Sequence, residues 1–214
     1  ALSADDKLAV AHYNLGVLAE DRGAVDEAEK HYRQAVAADP TPDPGALAAK
    51  RIVASKSFDN SILCTNESTV LAFTTVADRL LDAMKAEKAH VCSPEETEKL
   101  RKLLFTEHGF NVGLIGKDAS VIAREAGFNA SGAKILVTPV DLVQPEEKLV
   151  REKLCPVLAF ARVQNIDQAI SSARSMMRKS GKGHSAAIHS KNEANIMAYA
   201  AAVPALRVAV NAGC

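Results

Sequence analysis

The chain has 214 residues, 48% of them apolar, and its 26 basic and 26 acidic side chains cancel to a formal net charge of zero. That length allows one sizeable core and little more, and the balanced charge supplies no basic surface to favour a nucleic acid or an anionic membrane. The longest uncharged apolar stretch, Ile196 to Leu206, has 11 residues and contains Pro204. It is far short of the ~20 residues that cross a bilayer, so neither a membrane nor a nucleic acid is expected as a partner. The opening Ala-Leu-Ser-Ala-Asp-Asp has no basic region and no long apolar core, and does not read as a signal peptide. Cys64, Cys92, Cys155 and Cys214 lie 28, 63 and 59 positions apart. Such spacing fits neither a disulfide framework nor a zinc ribbon, and a reducing cytoplasm is the expected compartment.

Charge divides the chain. Residues 1–45 hold nine acidic and four basic side chains, leaving seventeen and twenty-two for residues 46–214. At the change stands Asp39-Pro40-Thr41-Pro42-Asp43-Pro44-Gly45, whose alternating prolines cannot run on as a helix or join a sheet interior. Residues 41–45 are therefore expected to be a linker between a segment 1–40 and a domain 46–214.

Within the first segment, Ala11 to Pro40 reads as two amphipathic helices broken at Gly23, with Leu15, Leu18 and Ala19 on one face of the first and Ala28, Tyr32, Ala35 and Val36 on the second. Leu15-Gly16, Ala28, Tyr32, Ala35 and Pro40 resemble the pattern of one tetratricopeptide repeat, although His12 and Ala19 stand where that pattern has aromatic residues. An unrelated helical hairpin is the alternative. Such repeats bury their apolar faces by stacking, so Leu15, Leu18, Tyr32 and Val36 should be covered by something beyond the hairpin, including a protein partner.

Past the linker, short apolar runs alternate with helical periods. Strands are expected at Ser61–Thr65, Ala89–Cys92, Lys134–Pro139, Val157–Val163, Ser185–Ile188 and Arg207–Asn211, and helices at Glu67–Glu87, Pro94–Leu104, Ala119–Ala126, Ile166–Arg178 and Lys191–Ala200. This alternation predicts an α/β domain with a largely parallel sheet.

Four clusters can carry chemistry. Cys64 ends the run Ser-Ile-Leu-Cys ahead of the expected helix from Glu67, where unpaired N–H groups would favour a thiolate and could hold an oxyanion. By position alone a cysteine is more often a small core residue than a nucleophile. His90-x-Cys92 could be half of a metal site, but no further ligands stand out beside it, and no metal is expected. His184 lies in a glycine-flanked loop, Gly181-Lys182-Gly183-His184, where it can serve as acid, base or donor, or simply sit at the surface. Gly181-x-Gly183-x-x-Ala186 also spells a dinucleotide fingerprint, but a helix precedes it and a strand follows, which reverses the required order. Glu152, just before the apolar run from Val157, places a carboxylate at a strand edge where it could accept from a ribose, or be a solvated charge near a turn.

Taken in order, SKSFDNSILCTNES, GAKILVTPV, REKLCPVLAFARV and GKGHSAAIHS resemble the catalytic domain of the CoA-acylating aldehyde dehydrogenases over about residues 46–214. The resemblance implies an aldehyde-dehydrogenase-like α/β domain and an oxidoreductase that turns a small aldehyde into an acyl-CoA with NAD or NADP. In it Cys64 is the nucleophile, Glu152 contacts the nicotinamide ribose, and His184 handles the coenzyme A thiol. A cytoplasmic homo-oligomer follows from the same likeness, or one housed in a bacterial microcompartment. The family places a nucleotide-binding domain before the nucleophile, where this sequence has the repeat. A fragment, a fusion or a sequence assigned with gaps is therefore expected, and the alternative function is an interaction module joining the hairpin to an inactive dehydrogenase-like body.

Overall fold

The computed structural model describes residues 44–213, apart from 142, 144–145 and 179–181, together with Glu27 and Lys30. The expected hairpin over 1–40 and the linker as far as residue 43 lie outside the described residues, save that Glu27 and Lys30 are helical. The chain divides into two compact units, Ala1–Leu47 and Ala48–Cys214.

Helix α1 covers Pro44–Ser57, so the last two residues of the expected linker are its first turn. Proline is tolerated there because the N–H it lacks would find no intrahelical acceptor. There follow β1 (Thr69–Phe73), α2 (Thr74–Ala86), β2 (Ala89–Val91), α3 (Pro94–Leu104), β3 (Phe105–Thr106), β4 (Gly109–Phe110), α4 (Ala119–Glu125), β5 (Ile135–Val140), β6 (Val157–Val163), α5 (Ile166–Met177), β7 (Ser185–Ile188), α6 (Glu193–Ala202) and β8 (Arg207–Val210). Four strands form one sheet in the order β1-β6-β5-β2, every pair parallel. β7 and β8 make a second parallel pair, and β3 and β4 a short antiparallel hairpin.

Central strands β5 and β6 are covered on both faces, which is why they read as continuous apolar runs. Successive side chains point to opposite faces. Ile135, Val137, Leu158 and Phe160 pack with Ile52 and Val53 of α1 and Leu80 and Met84 of α2. Leu136, Val157, Ala159 and Ala161 pack with Leu100 and Leu104 of α3 and Ile122 and Ala123 of α4. Pro139 fits inside β5 because β2 pairs only as far as Val137. Its nitrogen faces the side where that neighbour has ended, so no ladder bond is lost.

The expected α/β class with a largely parallel sheet is what the structure has, and α3 runs over the residues read from the sequence. Ser93 caps it, its Oγ accepting from the Glu96 N–H at 3.2 Å while Glu96 Oε2 accepts from the Ser93 N–H at 2.8 Å. Two expectations fail. Ser61–Thr65 is no strand: a short 3-10 turn over Phe58–Ser61 is followed by an irregular loop. Nor is Glu67–Glu87 one helix, because residues 69–73 are a strand and only Thr74 onward is helical. The run Thr-Val-Leu-Ala-Phe takes the strand because β6 offers it a parallel ladder from Thr69↔Ala159 to Phe73↔Val163, and tertiary pairing outweighs a local helical period.

Leu158 is wholly buried on the α1–α2 face of β6. Leu158→Ala is expected to lower the unfolding free energy by about 2–5 kcal/mol, read from the shift of a urea denaturation midpoint at unchanged slope.

Candidate functional site

Between α1 and β1 the chain makes a tight reversal in which three successive residues, Asp59, Asn60 and Ser61, have φ of 48°, 49° and 61°. Left-handed backbone is unfavourable for residues with a Cβ, though Asp and Asn bear it best. Side chains hold it in place. Asn60 Nδ2 donates to the Gly116 carbonyl and to Asp118 Oδ1, each at 3.0 Å. Asn66 Nδ2 donates to the Phe58 carbonyl at 3.1 Å, and the Ile62 N–H reaches the Asp59 carbonyl at 3.1 Å. Cys64 stands on the loop so fixed, exposed and free.

This placement corrects the sequence reading, because no helix begins behind Cys64 and no N-terminal dipole acts on its sulfur. The strand β1 intervenes. What singles Cys64 out is access, Cys92 and Cys155 both being buried. A cavity of about 460 Å³ adjoins the loop, lined by Arg51, Ser55, Phe58, Leu63, Asn66 and Gly213. Gly213 is required at that wall: a Cβ on it would lie 2.8 Å from Ser55 Cβ.

Glu152 is exposed, in the segment between the 3-10 turn Lys148–Val150 and β6. Its neighbour Lys153 does the opposite and is wholly buried, with Nζ donating to the carbonyls of Ser68 at 3.1 Å, Arg151 at 2.8 Å and Leu149. Lys56 of α1 is buried beside it and donates to the Lys153 carbonyl at 3.4 Å. Burial first, and then the Lys56 charge, push the Lys153 amine down to about 7, and burial pushes Lys56 down to about 8. Burial likewise raises the Cys155 thiol, against the pull of the two lysines. The segment bearing Glu152 is thus tied to Ser68, four residues past Cys64.

His184 is half-buried just before β7, its Nδ1 accepting from the Ser185 N–H at 2.9 Å, which leaves Nε2 to carry the proton of the neutral ring. Among the described residues, no hydrogen bond or ion pair joins Cys64, Glu152 or His184 to another of the three. Sequence reasoning passed over His189, whose Nε2 is buried without a partner and whose ring is held neutral by burial and by Arg51, a residue of the cavity wall. Its nearness to Arg51 is a long-range fact with no local signal. The structure also departs from the expectation at His90 and Cys92, since Glu96 is brought up to them, its Oε2 3.1 Å from His90 Nε2.

Cys64 is exposed on the loop after a strained turn, at one edge of a parallel sheet whose central strands are covered on both faces, a placement that fits the aldehyde dehydrogenase likeness read from the sequence. The comparisons agree, and over most of its length the chain is homologous to the acetylating members. A succinate-semialdehyde dehydrogenase (acetylating) of Clostridium kluyveri is 33% identical over 166 residues, 77% of this chain and 37% of that protein. The solved acetylating aldehyde dehydrogenase of Geobacillus thermoglucosidasius matches with a TM-score of 0.76 at 32% identity, over 78% of this chain and 37% of that one. A propionaldehyde dehydrogenase of the Clostridium phytofermentans fucose utilisation microcompartment matches at 0.72 and 30%, over 82% and 40%. Two more distant structures hold ligands. An engineered glycolyl-CoA reductase carries NADP+ (27% identity, TM-score 0.71, 82% and 39% covered), and the Rhodopseudomonas palustris propionaldehyde dehydrogenase carries propionyl-CoA (26%, 0.71, 82% and 38%). The chain thus spans about two fifths or less of the relatives it matches. Residues 9–42 match the family described as tetratricopeptide repeat.

Two measurements follow. Iodoacetamide should label Cys64 in the native protein while Cys92 and Cys155 stay unmodified until denaturant is added, read by peptide mass mapping. Because a buried amine prefers to be neutral, the unfolded chain holds a proton on Lys153 that the folded chain has released between about pH 7 and the ordinary lysine value of 10.5. Stability from this group therefore rises with pH across that window. In Lys153→Met the rise should be shallower than in wild type, as seen in denaturant midpoints compared from pH 6 to about pH 10.

Proposed function

We propose that this chain carries the covalent half of an acylating aldehyde dehydrogenase, with Cys64 as nucleophile. The observation that carries the reading is the exposure of Cys64 on a loop whose neighbouring residues Leu63 and Asn66 line the 460 Å³ cavity. Cys64 adds to the aldehyde carbonyl, and loss of hydride from the adduct leaves an acyl thioester on its sulfur. NAD or NADP, when bound, supplies the hydride acceptor. Of the residues described, Glu152 suits that group best, its exposed carboxylate being free to accept from ribose hydroxyls. Coenzyme A then takes the acyl group from sulfur and restores the thiol. His184 serves the same step as a donor: the Ser185 N–H fixes its Nδ1, so the ring keeps one orientation and presents Nε2–H to the coenzyme A sulfur or the acyl oxygen. Small aldehydes fit the cavity's size, and the reading extends to a homo-oligomer, cytoplasmic or housed in a microcompartment as the Clostridium phytofermentans enzyme is. A second reading rests on the tetratricopeptide match at residues 9–42: the hairpin recruits a protein partner, and the dehydrogenase-like unit is the body it delivers.

The return half-reaction needs no nicotinamide and tests the first reading on the chain itself. Incubated with acetyl-CoA, the protein should gain one acetyl group, mapped to Cys64 and absent in Cys64→Ala. His184→Ala should slow the gain by about 10²-fold or more, the range lost with one hydrogen-bond donor to a developing oxyanion. Acylation no faster than in the denatured protein would leave the interaction module as the better reading.

A further inference from the structure

Away from the Cys64 site, the end of β2 gathers three metal-ligating side chains of different chemistry. We infer that His90, Cys92 and Glu96 form a binding site for a zinc-type divalent cation. Their ligand atoms all lie within 4.8 Å of one another. The convergence has a plain structural cause. His90 and Cys92 are two residues apart on an extended segment, the ladder continuing through the Cys92 N–H to the Val137 carbonyl at 2.9 Å, so both side chains leave the same face. Glu96 reaches back to that face because it is the third residue of α3 and closes the capping box on Ser93.

The geometry is close to what a tetrahedral site needs. Zinc bound to nitrogen or oxygen at about 2.0 Å and to sulfur at about 2.3 Å sets its ligand atoms roughly 3.3–3.6 Å apart. His90 Nε2 and Glu96 Oε2 already stand 3.1 Å apart, with room between them only for a proton. A small outward shift of that pair, with rotation of the Cys92 sulfur toward it, admits the cation in the proton's place. Outer contacts orient the ligands, as metal sites require: the Ser93 N–H holds the Glu96 carboxylate at 2.8 Å, and the His90 ring stacks on Phe128 at 5.6 Å between centroids. Charge matches as well, since a thiolate and a carboxylate with a neutral imidazole cancel a double positive charge. Sulfur and imidazole together select zinc or cobalt over magnesium or calcium. The side chains of His90 and Glu96 are 28% and 22% exposed, so water can reach the fourth position.

Capping alone explains Ser93 with Glu96, but it explains neither His90 nor Cys92. A cation here would fasten the edge strand to the first turn of α3, and it is independent of the acyl chemistry proposed for Cys64.

The test is titration of chelator-treated protein with Co²⁺ and Zn²⁺, in a background where Cys64 and Cys214 are serine so that neither thiol competes. One equivalent of Co²⁺ should raise a thiolate-to-cobalt charge-transfer band, and Zn²⁺ should bleach it while Mg²⁺ does not. Cys92→Ser should abolish the band. Its side chain is buried, so circular dichroism checks the fold of that variant. His90→Ala and Glu96→Gln, both at partly exposed positions, should weaken Zn²⁺ binding by on the order of 10- to 100-fold or more, the range lost even when an outer-shell partner is removed. The histidines of residues 1–43 give no sulfur band. Absence of the band at saturating Co²⁺, its survival in Cys92→Ser, or wild-type affinity in the other two variants would each overturn the assignment.

Discussion

Lys153 places an amine with three donors among three main-chain carbonyls inside the protein, and the candidate site depends on that contact. Burying an unpaired ammonium would cost several kcal/mol. Carbonyls of Ser68, Leu149 and Arg151 match the three donors of the ammonium one for one, whereas the neutral amine, with two, leaves one of them without its bond. The three acceptors come from two stretches of chain more than eighty residues apart. One leads out of the Cys64 loop into β1, and the other carries Glu152 into β6. Lys56 adds a third strand to the knot, because it reaches the Lys153 carbonyl from α1, the helix that ends at the Cys64 turn.

The sheet gives this knot something rigid to hold. β1 and β6 run parallel, register Thr69↔Ala159, and the Ser68 carbonyl also accepts from the Ala159 N–H at 3.0 Å. Thr69 Oγ1 donates to the Val150 carbonyl at 3.2 Å, closing the same seam one residue further on. Both faces of β6 are packed, so a displacement of the Glu152 segment would have to open the core. The strained turn at Asp59–Ser61 stands on the other side of the loop, and strain of this kind persists only where surrounding contacts over-determine it. Here the contacts with Gly116 and Asp118 do so.

Local signals were legible and long-range ones were not. The capping box that starts α3 and the apolar runs of β5, β6 and β7 could be read from the sequence, because each is written in neighbouring residues. Val70, Phe73, Leu80 and Met84 fall at helical intervals, yet the first two belong to a strand, since the decision lies with a partner, β6, almost ninety residues away. The same blindness misplaced Cys64 at a helix start. Glu96 illustrates a subtler loss: it stands four residues from Cys92, yet only the strand-to-helix angle makes it a neighbour of His90. Lys56 and Lys153 gave no signal at all, lysine being the residue least expected in a core.

The correction at Cys64 changes which physics must make the sulfur reactive. A helix dipole would have acted on the thiolate before any substrate arrived. With β1 in that place, reactivity rests on presentation: a sulfur held at an exposed point beside a cavity, on backbone whose conformations are restricted by Asn60 and Asn66. Preorganisation of this sort lowers the entropic part of the barrier without altering the ground-state ionisation. The side-chain contacts that hold the strained turn lie between Phe58 and Asp118, and those of Lys153 close the loop's far end, all within the unit Ala48–Cys214. On the function proposed for Cys64, covalent capture of an acyl group falls to this unit, and hydride transfer needs a dinucleotide to which the same proposal assigns Glu152. The two halves of the reaction are separable in structure as they are in chemistry.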